Sequence, residues 1–184
     1  QDTAEVVLLT GCLRPLDRDA IVKKYSPLLK SGSTVTLDKP IIIVTTQCLE
    51  VGADFSFDAL VTECASLDAL RQRFGRLDRL GELKATDATI LTRDADTKVP
   101  EDKDDDPIYG KAIANTWAWL TEISTGVAPP TEPVAKKKNK KAAADTASRT
   151  VDFGINSLGA HVDALRESQA DRFKSLLAPR PHAP

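Results

Sequence analysis

The strongest strand signal is IIIVT at residues 41–45, a run of β-branched residues that directly follows Pro40. Such a run favours a strand, and an unbroken apolar run is typical of a parallel strand that is covered on both faces. Similar short runs predict further strands at residues 6–10, 59–62 and 88–92. We therefore expect a sheet assembled from short, buried strands.

Segments with helical spacing of apolar residues lie between and after these strands. Helices are predicted at residues 17–29, 67–77 and 108–123, and one or two further helices at residues 155–177. Pro27 would end or kink the first of them, and Ser66 would cap the second. In the third we place Trp117 in the core and Trp119 against another surface. Strands alternating with helices predict an α/β fold with a mostly parallel sheet flanked by helices.

The composition limits the classes of function. The chain has 184 residues, of which 41% are hydrophobic and 28% are charged, and a net charge of −2. This balance is typical of a soluble globular protein and excludes a uniformly basic nucleic-acid coat. The sequence contains neither an apolar run long enough to span a membrane nor a secretory signal. The three cysteines and two histidines are scattered, so we predict no metal site.

The composition also changes along the chain. Residues 1–95 carry the α/β pattern, and residues 96–125 form an acidic loop followed by an accessory helix. Residues 126–150 are rich in Pro, Lys and Ala, so we expect a disordered linker. Residues 151–184 are expected to form a helical accessory segment that is cut short. Because the chain begins with Gln and contains no Met, we expect a piece of a longer protein.

The most informative motif is QRFGRLDR at residues 72–79. We expect this motif to lie on one helix, and because Arg76 and Arg79 are three residues apart, they should project from the same helical face. Two neighbouring guanidinium groups suit phosphate oxygens, because each is always charged and offers paired N–H donors. Such a pair can neutralise charge on a transferring γ-phosphoryl group, as arginine fingers do. The alternative is a solvated basic face of a helix.

A second motif, TTQCLEVGAD at residues 45–54, begins where the strongest strand ends. In open α/β sheets, ligands gather outside the carboxyl ends of the strands. The hydroxyls of Thr45 and Thr46 could contact a phosphate backbone, Gly52 permits close approach, and Asp54 could accept a hydrogen bond from a ribose. The alternative is an ordinary strand-to-turn connection in which Asp54 is a turn or cap residue.

Together, the two motifs resemble motifs V and VI of superfamily 2 helicases. With FDALVTE at residues 57–63 and LRPLDR at residues 13–18, the chain is similar to the CRISPR-associated type I helicase-nuclease, the DNA-translocating effector of type I interference. The resemblance extends over about residues 5–93. It implies that residues 1–95 are the second RecA-like domain, with motifs IV to VI, of a larger ATP-dependent DNA motor.

The resemblance also implies roles for individual residues. By motif position, Arg79 is the arginine finger and Arg76 is its partner facing the γ-phosphate. The residues implied to contact the nucleotide are Gln72, Arg73, Gly52 and Asp54. The residues implied to contact DNA are Thr45, Thr46, Gln47, Arg14 and Arg18. Salt bridges of Arg14 and Arg18 with Asp17 or Asp19 are the alternative for the last two.

The implied cofactors are ATP and Mg²⁺, bound mainly by a first RecA-like domain. The chain lacks the phosphate-binding motif G-x-x-x-x-G-K-[ST], an Asp-Glu dipeptide and a His-Asp dipeptide, so alone it should be inactive. The implied partners are single-stranded DNA, the first RecA-like and nuclease domains of the parent, and a CRISPR surveillance complex in a prokaryotic cytoplasm, without a membrane. The alternatives are a RecG-like or restriction-type translocase and a non-catalytic RecA-like interaction module.

Overall fold

The computed structural model describes residues 3–46, 54–83, 86–98, 109–124 and 150–179. The elements are β1 (Glu5–Leu9), α1 (Pro15–Leu29), β2 (Ile41–Thr45), β3 (Ala59–Glu63), α2 (Leu67–Phe74), β4 (Asp87–Leu91), α3 (Ala112–Ser124), α4 (Ile155–Ser168) and α5 (Ala170–Ser175). A short 3-10 helix spans Asp94–Thr97. The predicted α/β class is confirmed, and each predicted strand is present. The segments predicted as an acidic loop and a linker lie largely outside the described residues.

The chain divides into two compact units. The first consists of Gln1–Thr62 and Arg71–Thr89, and the second of Glu63–Leu70 and Ile90–Pro184. Strands β1 and β2 and helix α1 belong to the first unit, whereas α3, α4 and α5 belong to the second. Strands β3 and β4 form a two-stranded sheet. Each of these strands, and also helix α2, contributes residues to both units.

Strands β1 and β2 pair in parallel, with Val6 opposite Ile42 and Leu8 opposite Val44. Parallel strands need a crossover connection, and here the 15-residue helix α1 supplies it. The side chains of Val7 and Leu9 are buried in a core that also contains Tyr25, Leu29 and Phe55. The predicted strand–helix–strand unit is therefore confirmed at the start of the chain.

One face of this sheet is exposed, which corrects the expectation that β2 is covered on both faces. Four apolar side chains on that face, Val6, Leu8, Ile42 and Val44, are 66%, 59%, 49% and 49% exposed. An apolar run allows a strand to be buried on both faces, but burial also requires that another element packs against each face. Helix α1 provides one layer, and the described part of the chain leaves the other face open.

Helix α1 continues beyond Pro27 and ends at Leu29, so the proline does not end it. A proline removes one backbone donor and crowds the preceding turn. Only two residues of the helix follow Pro27, and the N–H of Lys30 still donates to the Ser26 carbonyl at 2.9 Å. The helix therefore places Leu29 in the core, and the Leu29 carbonyl accepts the Ser56 N–H.

A polar cluster joins α1 to the start of β1. The Tyr25 hydroxyl donates to Glu5 Oε1 at 2.5 Å, and Lys24 Nζ donates to the same oxygen at 3.0 Å. The Tyr25 hydrogen bond, followed by the Lys24 ammonium, lowers the pKa of Glu5 below its ordinary value of 4.5. Hydrogen bonds to Tyr25 and Glu5 raise the pKa of Lys24. Both shifts favour the charged forms in the folded state.

We expect Glu5→Gln to destabilise the chain at pH 7 and to have a smaller effect at pH 3. Because the folded-state pKa of Glu5 is lowered, its stabilising effect is present above pH 4.5 and is lost as the pH falls through the folded-state pKa. Urea unfolding of both proteins at the two pH values measures the difference. An equal difference at pH 7 and pH 3 would contradict the charge-dependent role.

In the second unit, α3 buries Trp119 rather than Trp117, so that prediction was wrong. Trp119 is 3% exposed and Trp117 is half-buried. The buried residues of α3 include Thr116, Trp119 and Leu120. Trp119 lies three residues after Thr116, so these two residues share one face of the helix. The sequence offered an equally periodic apolar face through Trp117, and only the packing partners distinguish the two faces.

Helix α2 begins directly after Ser66, as predicted, but the predicted side-chain cap is not made. The Ser66 hydroxyl is buried and has no hydrogen-bond partner among the described residues. Instead, the N–H of Leu67 donates to the Leu176 carbonyl at 2.9 Å. That carbonyl also accepts the Thr116 hydroxyl at 3.2 Å. A segment distant in sequence thus satisfies one of the backbone donors that have no partner within the helix.

Candidate functional site

Arg76 and Arg79 lie beyond the end of α2, in a segment that we call the arginine loop, residues 75–83. This corrects the prediction that the two arginines share one helical face. Helix α2 ends at Phe74, and a side chain at Gly75 would place its Cβ 3.3 Å from the Arg71 carbonyl oxygen. The N–H of Arg76 donates to the residue three positions earlier, so the last turn tightens and the chain leaves the helix.

The arginine loop is fixed to a second segment through Phe57. The Phe57 N–H donates to the Arg76 carbonyl at 2.8 Å, and the Asp78 N–H donates back to the Phe57 carbonyl at 2.9 Å. Asp78 adopts a φ of 41°, in the left-handed region that Asp tolerates better than most residues. Its carboxylate accepts the N–H groups of Glu82 and Leu83 at 2.8 and 3.1 Å. These bonds define the loop on both sides of Asp78.

Arg79 is held at both its backbone and its side chain. Its backbone N–H donates to the Ser56 hydroxyl at 3.1 Å. Its Nη1 donates to Asp54 Oδ1 and forms an ion pair with that carboxylate. The Ser31 hydroxyl donates to the same oxygen at 3.4 Å. The structure thus brings together Asp54 of the first predicted motif and Arg79 of the second.

The carboxyl end of α1 holds the segment that carries Asp54 and Ser56. The Ser56 N–H donates to the Leu29 carbonyl at 2.8 Å, and Lys30 and Phe55 form an isolated antiparallel bridge. Phe55 is 2% exposed, so the segment is anchored in the core. The position of Arg79 therefore depends on a chain of contacts from α1 through residues 54–57 to the arginine loop.

The other residues predicted to contact the nucleotide differ from one another in their partners and exposure. Arg73 lies on α2, and its Nη1 donates to the Thr62 hydroxyl at 2.9 Å. Gln72 is exposed on the same helix, and Arg76 is half-buried in the arginine loop. Gly52 lies outside the described residues. The guanidinium of Arg73 is therefore engaged within its own unit, whereas Gln72 is open to solvent.

The predicted DNA contacts lie near the carboxyl ends of β1 and β2. The Gly11 N–H donates to the Thr46 hydroxyl at 3.2 Å, which links the loops that follow the two strands. The Thr45 hydroxyl donates to the Thr46 carbonyl at 2.8 Å. Gln47 lies outside the described residues. These hydroxyls are exposed, as a surface for a phosphate backbone requires.

The two predicted DNA-contacting arginines differ in their partners. Arg14 pairs with Asp17 through Nε at 2.7 Å and Nη2 at 3.1 Å, which is the intradomain salt bridge considered as the alternative. Arg18 is exposed on α1, one turn further along. Arg18 is therefore the better candidate of the two for a contact with DNA.

Sequence reasoning missed three residues that position the site. The Ser31 hydroxyl donates to Asp54, and the Ser56 hydroxyl accepts from the N–H of Arg79. The Asp78 carboxylate accepts backbone hydrogen bonds within the arginine loop. The alternation of Phe55 and Phe57 around Ser56 indicates an extended segment with the serine on the opposite side. The partner of that serine could not be inferred, because Arg79 is distant in sequence.

Neither a candidate metal site nor a candidate membrane span is found among the described residues. They contain no group of three or more His, Cys, Asp or Glu side chains that could hold a metal ion. Among the same residues, no helix is both long and apolar enough to cross a membrane.

Comparison with known proteins finds similarity over the first part of the chain. Residues 1–82 match the family model described as CRISPR-associated nuclease/helicase Cas3, C-terminal. The CRISPR-associated helicase Cas3 of Thermoproteus tenax is 44% identical over 80 residues, which cover 43% of this chain and 13% of that protein. The CRISPR-associated nuclease/helicase Cas3 of Haloferax volcanii is 34% identical over 74 residues, which cover 40% of this chain and 7% of that protein.

Among solved structures, the crystal structure of T. fusca Cas3 matches with a TM-score of 0.49 and 18% identity. The match covers 67% of this chain and 15% of that chain. The chain thus spans only a small part of the length of the proteins it matches. The resemblance drawn from the two motifs is confirmed, because residues 1–82 match the Cas3 C-terminal family model and are similar to Cas3 helicases.

Proposed function

We propose that this chain is part of an ATP-dependent DNA helicase that acts in type I CRISPR interference. In this proposal, residues 1–95 form the second RecA-like domain, and the later segments are accessory. The parent moves along single-stranded DNA so that its nuclease domain can degrade it. The first RecA-like domain, the nuclease domain and a CRISPR surveillance complex are its partners, in the cytoplasm of a prokaryotic cell.

The observation that carries the proposal is the contact between Asp54 and Arg79. The two residues come from separate motifs, yet they meet at one exposed place in the segment that matches the family. Arg79 presents a guanidinium fork there, and Asp54 presents a carboxylate. A guanidinium fork suits phosphate oxygens, and a carboxylate can accept hydrogen bonds from ribose hydroxyls.

In the proposed mechanism, ATP is the substrate and lies between this domain and the first RecA-like domain. Arg79 and Arg76 stabilise the charge that develops on the γ-phosphoryl group. Asp54 and Gly52 face the nucleotide, and Gln72 and Arg73 support the contact between the arginine motif and the substrate. Mg²⁺ would be held mainly by the first domain and would neutralise phosphate charge. Domain closure and opening would then move the DNA.

Strand displacement tests the proposal in the full-length parent. A labelled strand annealed beside a single-stranded track should be released in the presence of ATP and Mg²⁺. The matched control replaces ATP with the non-hydrolysable analogue AMPPNP, which should support no release. Release that is equal with ATP and AMPPNP would contradict an ATP-driven motor.

We also expect Arg18→Ala in the parent to weaken binding of single-stranded DNA in a salt-dependent manner. Arg18 is exposed on α1. The slope of log affinity against log salt concentration is negative, and loss of one phosphate contact should make it less negative by about 0.7. Titrations at several salt concentrations with two unrelated DNA sequences measure the slope. A slope identical to that of the wild type would remove Arg18 from the interface.

A further inference from the structure

We infer that Asp54 is a positioning residue for Arg79, and that nucleotide binding exchanges their ion pair for contacts of each residue with the nucleotide. The inference rests on the proposed function and deepens it. In the free protein Asp54 would hold the guanidinium of Arg79 at the site. In the bound protein Arg79 would face phosphate and Asp54 would face ribose.

The geometry separates a fixed part of Arg79 from a movable part. Its backbone N–H is bound by the Ser56 hydroxyl at 3.1 Å, and the Ser56 N–H is bound in turn by the Leu29 carbonyl at 2.8 Å. Its guanidinium is held by the carboxylate of Asp54, whose Oδ1 also accepts the Ser31 hydroxyl at 3.4 Å. The guanidinium can therefore change its partner by side-chain rotation while the backbone stays in place.

The exposure of the pair makes such an exchange feasible. The side chains of Arg79 and Asp54 are 44% and 52% exposed, so a ligand can reach both groups. Exposed ion pairs of this kind change an equilibrium by only about 1.5- to 5-fold. A triphosphate carries more negative charge than one carboxylate and offers several oxygens to the guanidinium fork. The pair is thus strong enough to orient Arg79 and weak enough to open.

The two states compete for the same Arg79 donor, the Nη1 group that is bound to Asp54. The N–H group that Arg79 donates to Asp54 is not available to a phosphate oxygen at the same time. A carboxylate left beside the γ-phosphate would also repel it. Once the pair opens, the oxygens of Asp54 can accept hydrogen bonds from ribose hydroxyls. The exchange therefore satisfies both residues in both states.

A double-mutant cycle in the full-length parent tests the inference, with dissociation constants for AMPPNP as the readout. The variants are Asp54→Asn, Arg79→Ala and the double variant. Asn keeps an oxygen that can accept from a ribose but removes the charge that holds Arg79. Asp96→Asn is the matched control, because it removes the charge of another carboxylate that is paired with an arginine, Arg93.

We expect Asp54→Asn to tighten AMPPNP binding by about 1.5- to 5-fold when Arg79 is present. In the Arg79→Ala background the same change should have no effect, because no pair is left to open. Asp96→Asn should leave the affinity unchanged. This coupling is specific to the exchange, since a merely structural role of Asp54 would weaken binding in both backgrounds.

Two outcomes would overturn the inference, and they differ from each other. If the wild-type parent binds AMPPNP but Asp54→Asn changes its affinity equally with and without Arg79, the exchange is wrong and the proposed function stands. If the wild-type parent binds no AMPPNP, the proposed function fails and the exchange fails with it.

Discussion

Arg79→Ala in the full-length parent is expected to lower ATP turnover by about 10³- to 10⁵-fold, the range that arginine fingers supply. The reason is electrostatic: the guanidinium would offset charge that develops on the phosphoryl group in the transition state. The fold should be retained, because the side chain of Arg79 is 44% exposed. Removal of an exposed side chain changes the free energy of unfolding by about 0.5 kcal/mol or less.

Steady-state turnover at saturating ATP and single-stranded DNA measures this effect. Arg79→Lys keeps the charge but loses the fork of N–H groups, so its turnover should fall between those of the wild type and the alanine variant. The matched control is Arg93→Ala, which removes another exposed arginine that is paired with an aspartate. Its turnover should remain near that of the wild type. Turnover of Arg79→Ala within tenfold of the wild type would exclude the finger role.

Phe55→Ala is expected to lower the free energy of unfolding by about 3–5 kcal/mol. Phe55 is 2% exposed and packs in the core with Val7, Leu9 and Tyr25. Its ring also meets that of Phe57 edge to face, with centroids 6.2 Å apart. Truncation removes this buried surface and leaves a cavity that the parallel strands cannot easily close.

Urea unfolding of the chain measures this loss, with two comparison variants. Phe55→Leu keeps most of the volume and should cost less than Phe55→Ala. Leu16→Ala is the control, because Leu16 is 82% exposed and its truncation should change stability by about 0.5 kcal/mol or less. A Phe55→Ala variant as stable as the control would show that this segment does not depend on the core.

The strands could be predicted because their signal is local. The run at Ile41–Thr45 and the shorter runs elsewhere are apolar and β-branched, and all became strands. What could not be predicted is which surfaces pack against them. The exposed face of β2 and the burial of Trp119 both depend on packing partners distant in the sequence.

The candidate site was predictable in its residue types but not in its geometry. The motif at residues 72–79 identified two arginines, yet helical spacing placed them on one face, whereas α2 ends at Phe74. The end follows from Gly75 and from hydrogen bonds to Phe57, a partner from another segment. The contact between Asp54 and Arg79 is likewise long-range, so periodicity carries no information about it.

The most direct test of the account is ATP turnover by the full-length parent, measured with and without single-stranded DNA. We propose that this chain completes the ATP site of an ATP-driven motor that moves on DNA. We expect the turnover to rise when single-stranded DNA is added. Absence of turnover, or turnover that is the same with and without DNA, would contradict it and favour a non-catalytic interaction module.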